Sequence, residues 1–310
     1  MKLSIITVNY NGLDDTCALI ESIPFDTMPM EVIVVDNGSR RDEAAVIASR
    51  YPQVKAIRSE TNLGFAGGNN LGIKAATGDY LFLVNNDTVM QLQVKSKEAP
   101  HQSIEAPHQS KEPQEGLKQL IQRMEENKKT GIVCPKIRFA WSPMPIQFAG
   151  YTKLSAVTLR NHAIGFGEED HGQHDTPHPT PYAHGAAMLV RREALDSAGL
   201  MPECYFLYYE ELDWSLRFQQ AGYEIWYDPC LTIYHKESQT TGQDSPLKAY
   251  YTSRNRLLFA SRNVGMPQRL LSYLYLTGIV VPRDIIRYLF TRRPAQARAI
   301  LRGVYDFIKH

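Results

Sequence analysis

The order of the 310 residues predicts an α/β protein with a mostly parallel sheet and helices on both faces. Unbroken apolar runs such as Leu81-Phe82-Leu83-Val84 suit strands buried on both faces of a sheet. Stretches with apolar residues at helical spacing lie between such runs, so strands and helices alternate. The runs end in polar clusters, which collects functional groups at the carboxyl ends of the strands, where open α/β sheets bind ligands.

Leu3 to Asn9 reads as the first strand and Tyr10-Asn11-Gly12 as a turn, followed by a helix with Leu13, Cys17, Ile20 and Ile23 on one face. Glu31 to Asp36 is a second buried strand that closes a βαβ unit of about thirty residues, with Asp36 at its end before Asn37-Gly38-Ser39. A helix over Asp42 to Tyr51 and a short strand over Val54 to Arg58 lead into Asn62-Leu63-Gly64-Phe65-Ala66-Gly67-Gly68-Asn69-Asn70-Leu71-Gly72. That spacing is not GxGxxG and it follows the third strand, which argues against a dinucleotide fingerprint. Its glycines permit either a close backbone approach to a ligand or a tight loop under the sheet, and Asn69-Asn70 are expected to cap a helix running to Ala76.

The strand Asp79 to Val84 then delivers Asn85, Asn86 and Asp87. One carboxylate flanked by two amides can seat a hard divalent cation, because Mg²⁺ takes one or two protein carboxylates and completes its shell with water and phosphate oxygens; the same cluster also suits a plain polar turn. Between Gln91 and Gly116 the composition changes: Glu98-Ala99-Pro100-His101-Gln102-Ser103 recurs as Glu105-Ala106-Pro107-His108-Gln109-Ser110. Such a polar duplication cannot bury a core and reads as a flexible insertion over about 91–116, its histidines solvated. Leu117, Leu120, Ile121 and Met124 mark the next helix, and Ile132 to Phe139 the next strand. Trp141 to Pro181, rich in Pro, Gly and His, reads as a connector or as a loop over a site. Tyr182 to Arg192 turns into a strand, while Tyr223 to Tyr227 and Leu231 to Lys236 read as two more, the last delivering His235.

A second chemical cluster is Tyr209-Glu210-Glu211-Leu212-Asp213, at the start of a helix that stops at Ala221-Gly222. Glu210 and Asp213 share a helix face while Glu211 points about 100° away. Crowded carboxylates raise one another's pKa, which suits a proton acceptor, although acids also decorate helix starts for dipole reasons alone.

The hydrophobic fraction of 43% and charged fraction of 22% are those of an ordinary globular chain. Cys17, Cys134, Cys204 and Cys230 are scattered with no CxxC pair, which speaks for a reducing compartment and against a cysteine metal site. The opening run Leu3 to Val8 is too short and strand-like for a signal peptide, so a cytoplasmic location is expected. The net charge of +1 conceals an asymmetry: residues 248–310 hold 12 Lys and Arg against two acids, leaving about −9 on the rest. This basic tail is a candidate anionic-surface binder, and its apolar run Leu270 to Val281 is too short to span a bilayer but suits an interfacial or buried helix.

Together and in this order, Ile5 to Gly12, Val34 to Ser39, Asn62 to Gly72, Asn85-Asn86-Asp87-Thr88, Tyr209 to Asp213 and Ile233-Tyr234-His235 resemble glycosyltransferase family 2, most of all its bacterial rhamnosyltransferase-like members. The likeness spans about residues 3–260, and Tyr250-Tyr251-x-x-Arg254-Asn255-Arg256 extends it. It implies a GT-A fold in residues 1–245, with 246–310 as a basic helical appendage that docks on the inner face of the plasma membrane. It further implies metal-dependent, inverting transfer of a sugar from a nucleotide-diphosphate donor to a glycan or polyprenyl-diphosphate-linked acceptor in cell-surface polysaccharide synthesis, with no nucleic-acid partner. By that likeness Thr7, Val8, Asn9 and Asp36 hold base and ribose, and Asn62, Gly64, Phe65, Gly68, Asn69 and Asn70 line the nucleotide pocket beside Asn85 and Asn86. Asp87 matches the last acid of the family's Asp-x-Asp motif and His235 a further ligand for Mg²⁺ or Mn²⁺. Glu211 falls where the catalytic base is expected, with Asp213 and Glu210 in reserve. The chain departs from the family pattern twice, with Asn85 for the first acid of Asp-x-Asp and Glu211 for an Asp. A pyrophosphorylase or a non-catalytic sugar-nucleotide-binding module are the alternatives, though the former lacks its early Gly-rich loop with adjacent Arg or Lys.

Overall fold

The computed structural model describes residues 1–90, 112–237 and 245–309; the duplicated segment lies outside them. In chain order the elements are β1 (Leu3–Asn9), α1 (Leu13–Glu21), β2 (Met30–Asn37), α2 (Glu43–Arg50), β3 (Val54–Ser59), α3 (Gly64–Ala75), β4 (Tyr80–Val84) and β5 (Thr88–Val89). Then come α4 (Pro113–Glu126), β6 (Thr130–Phe139), β7 (Ile146–Phe148), β8 (His178–Pro179), β9 (Ala187–Arg191), α5 (Arg192–Ala198), α6 (Glu210–Gln220) and β10 (Glu224–His235). The chain closes with α7 (Pro246–Asn263), α8 (Gln268–Tyr275), α9 (Val281–Phe290) and α10 (Pro294–Lys309), a π-helical turn over Leu276–Val280 joining α8 to α9.

The strands form one sheet in the order β3-β2-β1-β4-β9-β6-β10-β5, with β7 beside β6 and β8 beside β10. β3, β2, β1 and β4 are parallel, as helical crossovers demand. Beyond them the sheet is mixed: β9 runs antiparallel to both β4 and β6, and β10 is parallel to β6 but antiparallel to β5. The reason is connectivity. No crossover helix lies between β6 and β9, so the chain re-enters the sheet beside the end of β4, Ala187 opposite Val84.

Three local expectations are corrected. Pro113 to Gly116, read as part of the insertion, form the first turn of α4, where Gly116 packs so tightly that a Cβ would sit 2.8 Å from the Cys230 carbonyl oxygen. The two strands expected over 223–236 are one, β10, whose register slips between Asp228 and Thr232, where Pro229 has no N–H for the ladder. Asn69 and Asn70 are not caps, because α3 already starts at Gly64; Asn69 Nδ2 donates to the Phe65 carbonyl one turn back, and Asn70 Nδ2 to the Met201 carbonyl.

The main core lies on both faces of the sheet, from Ile5, Ile6 and Val34 through Phe82 and Leu189 to Trp214. A second core joins Tyr205 and Leu212 to Leu257, Phe259, Ala260, Leu276 and Val280. The C-terminal helices therefore share a core with the sheet-bearing part through α7, where each buried Leu, Val or Phe side chain contributes about 1.5–3 kcal/mol by leaving water.

Candidate active site

The turn after β4 is closed by its own polar groups. Asn85 N–H donates to the Ala186 carbonyl (2.9 Å), and the Thr88 hydroxyl donates back to the Asn85 carbonyl (2.7 Å). Asn86 Nδ2 donates to Thr16 Oγ1 (3.1 Å), tying the turn to α1. β5 follows at once and pairs with the end of β10, Thr88 opposite His235. This pairing brings His235 Nε2 to 3.1 Å from Asp87 Oδ1, both residues buried, while Lys236 N–H donates to the Asp87 carbonyl (2.8 Å).

The opposite ring nitrogen of His235, Nδ1, is 2.8 Å from Gln147 Oε1 on β7. An amide oxygen only accepts, so Nδ1 holds a proton, and Nε2 faces the carboxylate across a gap that calls for a second proton or a cation. The 3.1 Å separation is also close to the edge, about 3 Å, of an octahedron with bonds of about 2.1 Å. The pair therefore fits a hard divalent cation. Among the described residues no group of three or more His, Cys, Asp and Glu gathers around one point, so phosphate oxygens and water would have to complete such a shell.

The same cleft takes in the start of α6. The approach is contorted: Phe206, Tyr208 and Tyr209 have φ of 67°, 69° and 78°. Glu210 is buried with no hydrogen-bond partner on Oε2, and burial together with the Glu211 charge pushes its carboxyl well above the usual range. Glu211 is only partly covered; desolvation lifts it to about 6 against the opposing pull of backbone N–H groups at Glu211 and Tyr209. Asp213 is different. Burial alone would raise it, but hydrogen bonds from Asn263, Tyr205 and Arg262, with Arg217 alongside, hold it below the usual range.

One cleft of about 860 Å³ contains Val8, Asn62, Gly64, Phe65, Asn69, Asn85, Asn86, Asp87, Glu210, Glu211 and His235 in its walls. The structure thus brings together most of the residues singled out in the sequence. Thr7, Asn9, Asp36, Gly68, Asn70 and Asp213 do not line it. Asp36 is buried behind, accepting from Ser39 N–H (3.1 Å) and pairing with Arg58 (2.6 Å), and Asn9 donates to Glu43 (2.7 Å). Gly68 lets α3 press onto Val8, whose Cγ1 would lie 2.8 Å from an added Cβ. Sequence reasoning missed Trp141, Gln147, Tyr151, His184 and Lys248, which also line the cleft. His184 is held neutral, at about 3, by burial and by His235; its Nδ1 accepts from Ala186 N–H (3.1 Å), so its Nε2 bears the proton. These residues share no local pattern; only Trp141 and His184, beside a strand end and in a small-residue turn, left any trace.

A sheet that is parallel in its first half, with amides, a carboxylate and a histidine at its strand ends and two further carboxylates in the same cleft, has the architecture of a GT-A-type α/β fold. Residues 4–98 match the family model described as Glycosyl transferase family 2. It is 23% identical over 300 residues to the low-salt glycan biosynthesis hexosyltransferase of Haloferax volcanii, covering 94% of this chain and 86% of that one. It is 27% identical over 278 residues to the N-acetylglucosaminyl-diphospho-decaprenol L-rhamnosyltransferase of Mycobacterium tuberculosis, covering 85% of each. The fold is similar to GalNAc-T7 with UDP, GalNAc and Mn²⁺, at a TM-score of 0.59 and 13% identity, over 93% of this chain and 58% of that one. It is likewise similar to the mannosyltransferase of Pyrobaculum calidifontis in complex with GDP-Man and Mn²⁺, at 0.54 and 13%, over 98% and 75%.

Proposed function

We propose that this glycosyltransferase inverts configuration while moving a hexose, rhamnose or a similar sugar, from a nucleotide diphosphate to a hydroxyl of a glycan or polyprenyl-diphosphate-linked acceptor in cell-surface polysaccharide synthesis. The observation that carries this reading is a single cleft whose walls take in Asp87, His235, Glu210 and Glu211 together. The nucleotide lies along Val8, Asn62, Phe65 and Asn69, with Asn85 and Asn86 toward its phosphates. Asp87 and His235 would hold Mg²⁺ or Mn²⁺, which when bound offsets the charge growing on the leaving diphosphate. Glu211 takes the proton of the acceptor hydroxyl as that oxygen bonds to the anomeric carbon from the face opposite the leaving group. The bond to the diphosphate oxygen breaks, and its electron pair leaves with the nucleoside diphosphate. A carboxylate at about 6 is ionised at neutral pH yet more basic than a solvated one, which favours Glu211.

The basic tail supports a place for this reaction at a lipid surface. α8 and α9 expose Leu270, Leu274, Ile286, Leu289 and Phe290 to solvent, the last by 85%, among Arg269, Arg283, Arg287 and Arg293. Among the described residues no helix is long and apolar enough to cross a membrane, so we propose contact with an anionic bilayer from one side. The deciding experiment is a thermal-shift panel of dTDP-, UDP- and GDP-sugars with Mn²⁺, followed by transfer assays of Glu211→Gln. We expect at least a hundredfold loss of turnover with donor binding retained, and unchanged turnover would remove Glu211 as the base.

A further inference from the structure

Asn255 on α7 is fully buried and lies outside the cleft. Its Nδ2 is 2.9, 2.7 and 3.0 Å from the carbonyl oxygens of Tyr205, Leu207 and Tyr208. The neighbouring Arg254 donates to the Cys204 carbonyl (3.1 Å) and to Asn255 Oδ1 (2.8 Å), orienting the amide. An amide nitrogen has two protons, so the three carbonyls share them.

The chain they belong to is strained. Phe206, Tyr208 and Tyr209 have positive φ, a conformation that is strained for a non-glycine residue and persists only where the surroundings over-determine it. Phe206 is also clamped from the other side: its carbonyl accepts from Phe65 N–H (2.7 Å), and its ring stacks on Tyr251 of α7 at 5.0 Å and 14°. The very next residues are Glu210 and Glu211.

We propose that Asn255 is a positioning residue, which gathers three loop carbonyls so that the strained 205–209 path aims the Glu210–Glu211 pair into the cleft. The proposal rests on the reading of Glu211 as base and adds a device to it. The titratable groups that interact electrostatically with Glu211 are Glu210, Tyr209 and Tyr151, and Tyr209 in turn interacts with Arg256 and Arg160. A loop that relaxes toward solvent would rehydrate Glu211 and lower its pKa.

The test uses the whole chain with the nucleotide sugar that gives the largest thermal shift in the panel. For Asn255→Ala we expect a folded protein, donor affinity within threefold of wild type and kcat lower by tenfold or more. The acid limb of the kcat–pH profile should move below that of wild type. Asn255→Ser, which keeps one donor, should recover part of both effects. In a Glu211→Gln background the alanine change should alter the residual rate by less than twofold. Unchanged kcat and pH limb in the folded variants would overturn the proposal, as would a full, multiplicative loss on top of Glu211→Gln. Failure of both variants to fold would make Asn255 a determinant of the fold and overturn it too. Glu211→Gln by itself tests the underlying reading: wild-type turnover there would end the base assignment whatever Asn255 does.

Discussion

Glu210 and Glu211 are neighbours in the chain, yet burial treats them differently. If Glu211 accepts the proton, kcat should rise with pH through about 6 and level off above it, as one carboxyl ionises. A pH–rate profile flat between 5 and 7 would exclude it. Glu210 carries the opposite signature. Its folded-state pKa is raised, so its contribution to stability is fully present below the unfolded carboxylate range and is lost as pH rises through the raised value. Glu210→Gln, which cannot ionise, should therefore melt higher than wild type at pH 8 and lose that advantage near pH 4, as melting scans at both values can read. Asp213 serves structure: removing its charge by Asp213→Asn leaves Arg217 and Arg262 without their partner and should cost on the order of 3 kcal/mol at neutral pH, measured by denaturant unfolding. Its sequence position beside two other acids could not separate these roles, because a pKa depends on what surrounds the carboxylate.

At the scale of elements, the Asp87–His235 pair depends on three strands. Asp87 follows β4, His235 closes β10, and Gln147 on β7 sets which His235 nitrogen faces the carboxylate. Asp87→Ala should abolish any Mn²⁺ dependence of nucleotide-sugar binding, while Gln147→Ala should weaken Mn²⁺ by about 10–100-fold; calorimetry with Mn²⁺ and donor compares them. Persistence of the metal dependence in Asp87→Ala would refute the site. The start of α3 is equally constrained. Gly64 has φ of 74°, and a Cβ there would lie 2.3 Å from the Phe206 carbonyl oxygen, so Gly64→Ala should displace the Phe206 turn, lowering both melting temperature and transfer. The glycine cluster was legible in the sequence as a place of close approach. What it approaches, the backbone of a segment some 140 residues further on, was not, since contacts at that separation leave no periodic signal.

At the scale of the whole molecule, charge and apolar exposure coincide at the C-terminal end. The chain should sediment with vesicles of anionic phospholipid, less so at high salt, and not with phosphatidylcholine alone. Leu274→Ser with Phe290→Ser, both exposed, should release it without lowering the melting temperature; retention would refute this surface. The tail is nonetheless not a mere appendage. α7 shares a core with Tyr205 and Leu212 and supplies Asn255, Arg262 and Asn263 to the segment that carries the cleft carboxylates.

The sequence by itself determined the βαβ opening, the strand ends at Asn85-Asn86-Asp87 and His235, the helix start at Glu210-Glu211 and the basic, apolar tail. Each of these is written in local periodicity, turn chemistry or charge, which act over a few residues. Only the tertiary structure decided that Asp87 meets His235 from 148 positions away, that Asp213 is turned from the cleft into a cage of donors, and that Asn255 holds the strained loop. Burial, hydrogen-bond satisfaction and pKa are properties of surroundings, and surroundings are assembled from segments that are distant in the chain.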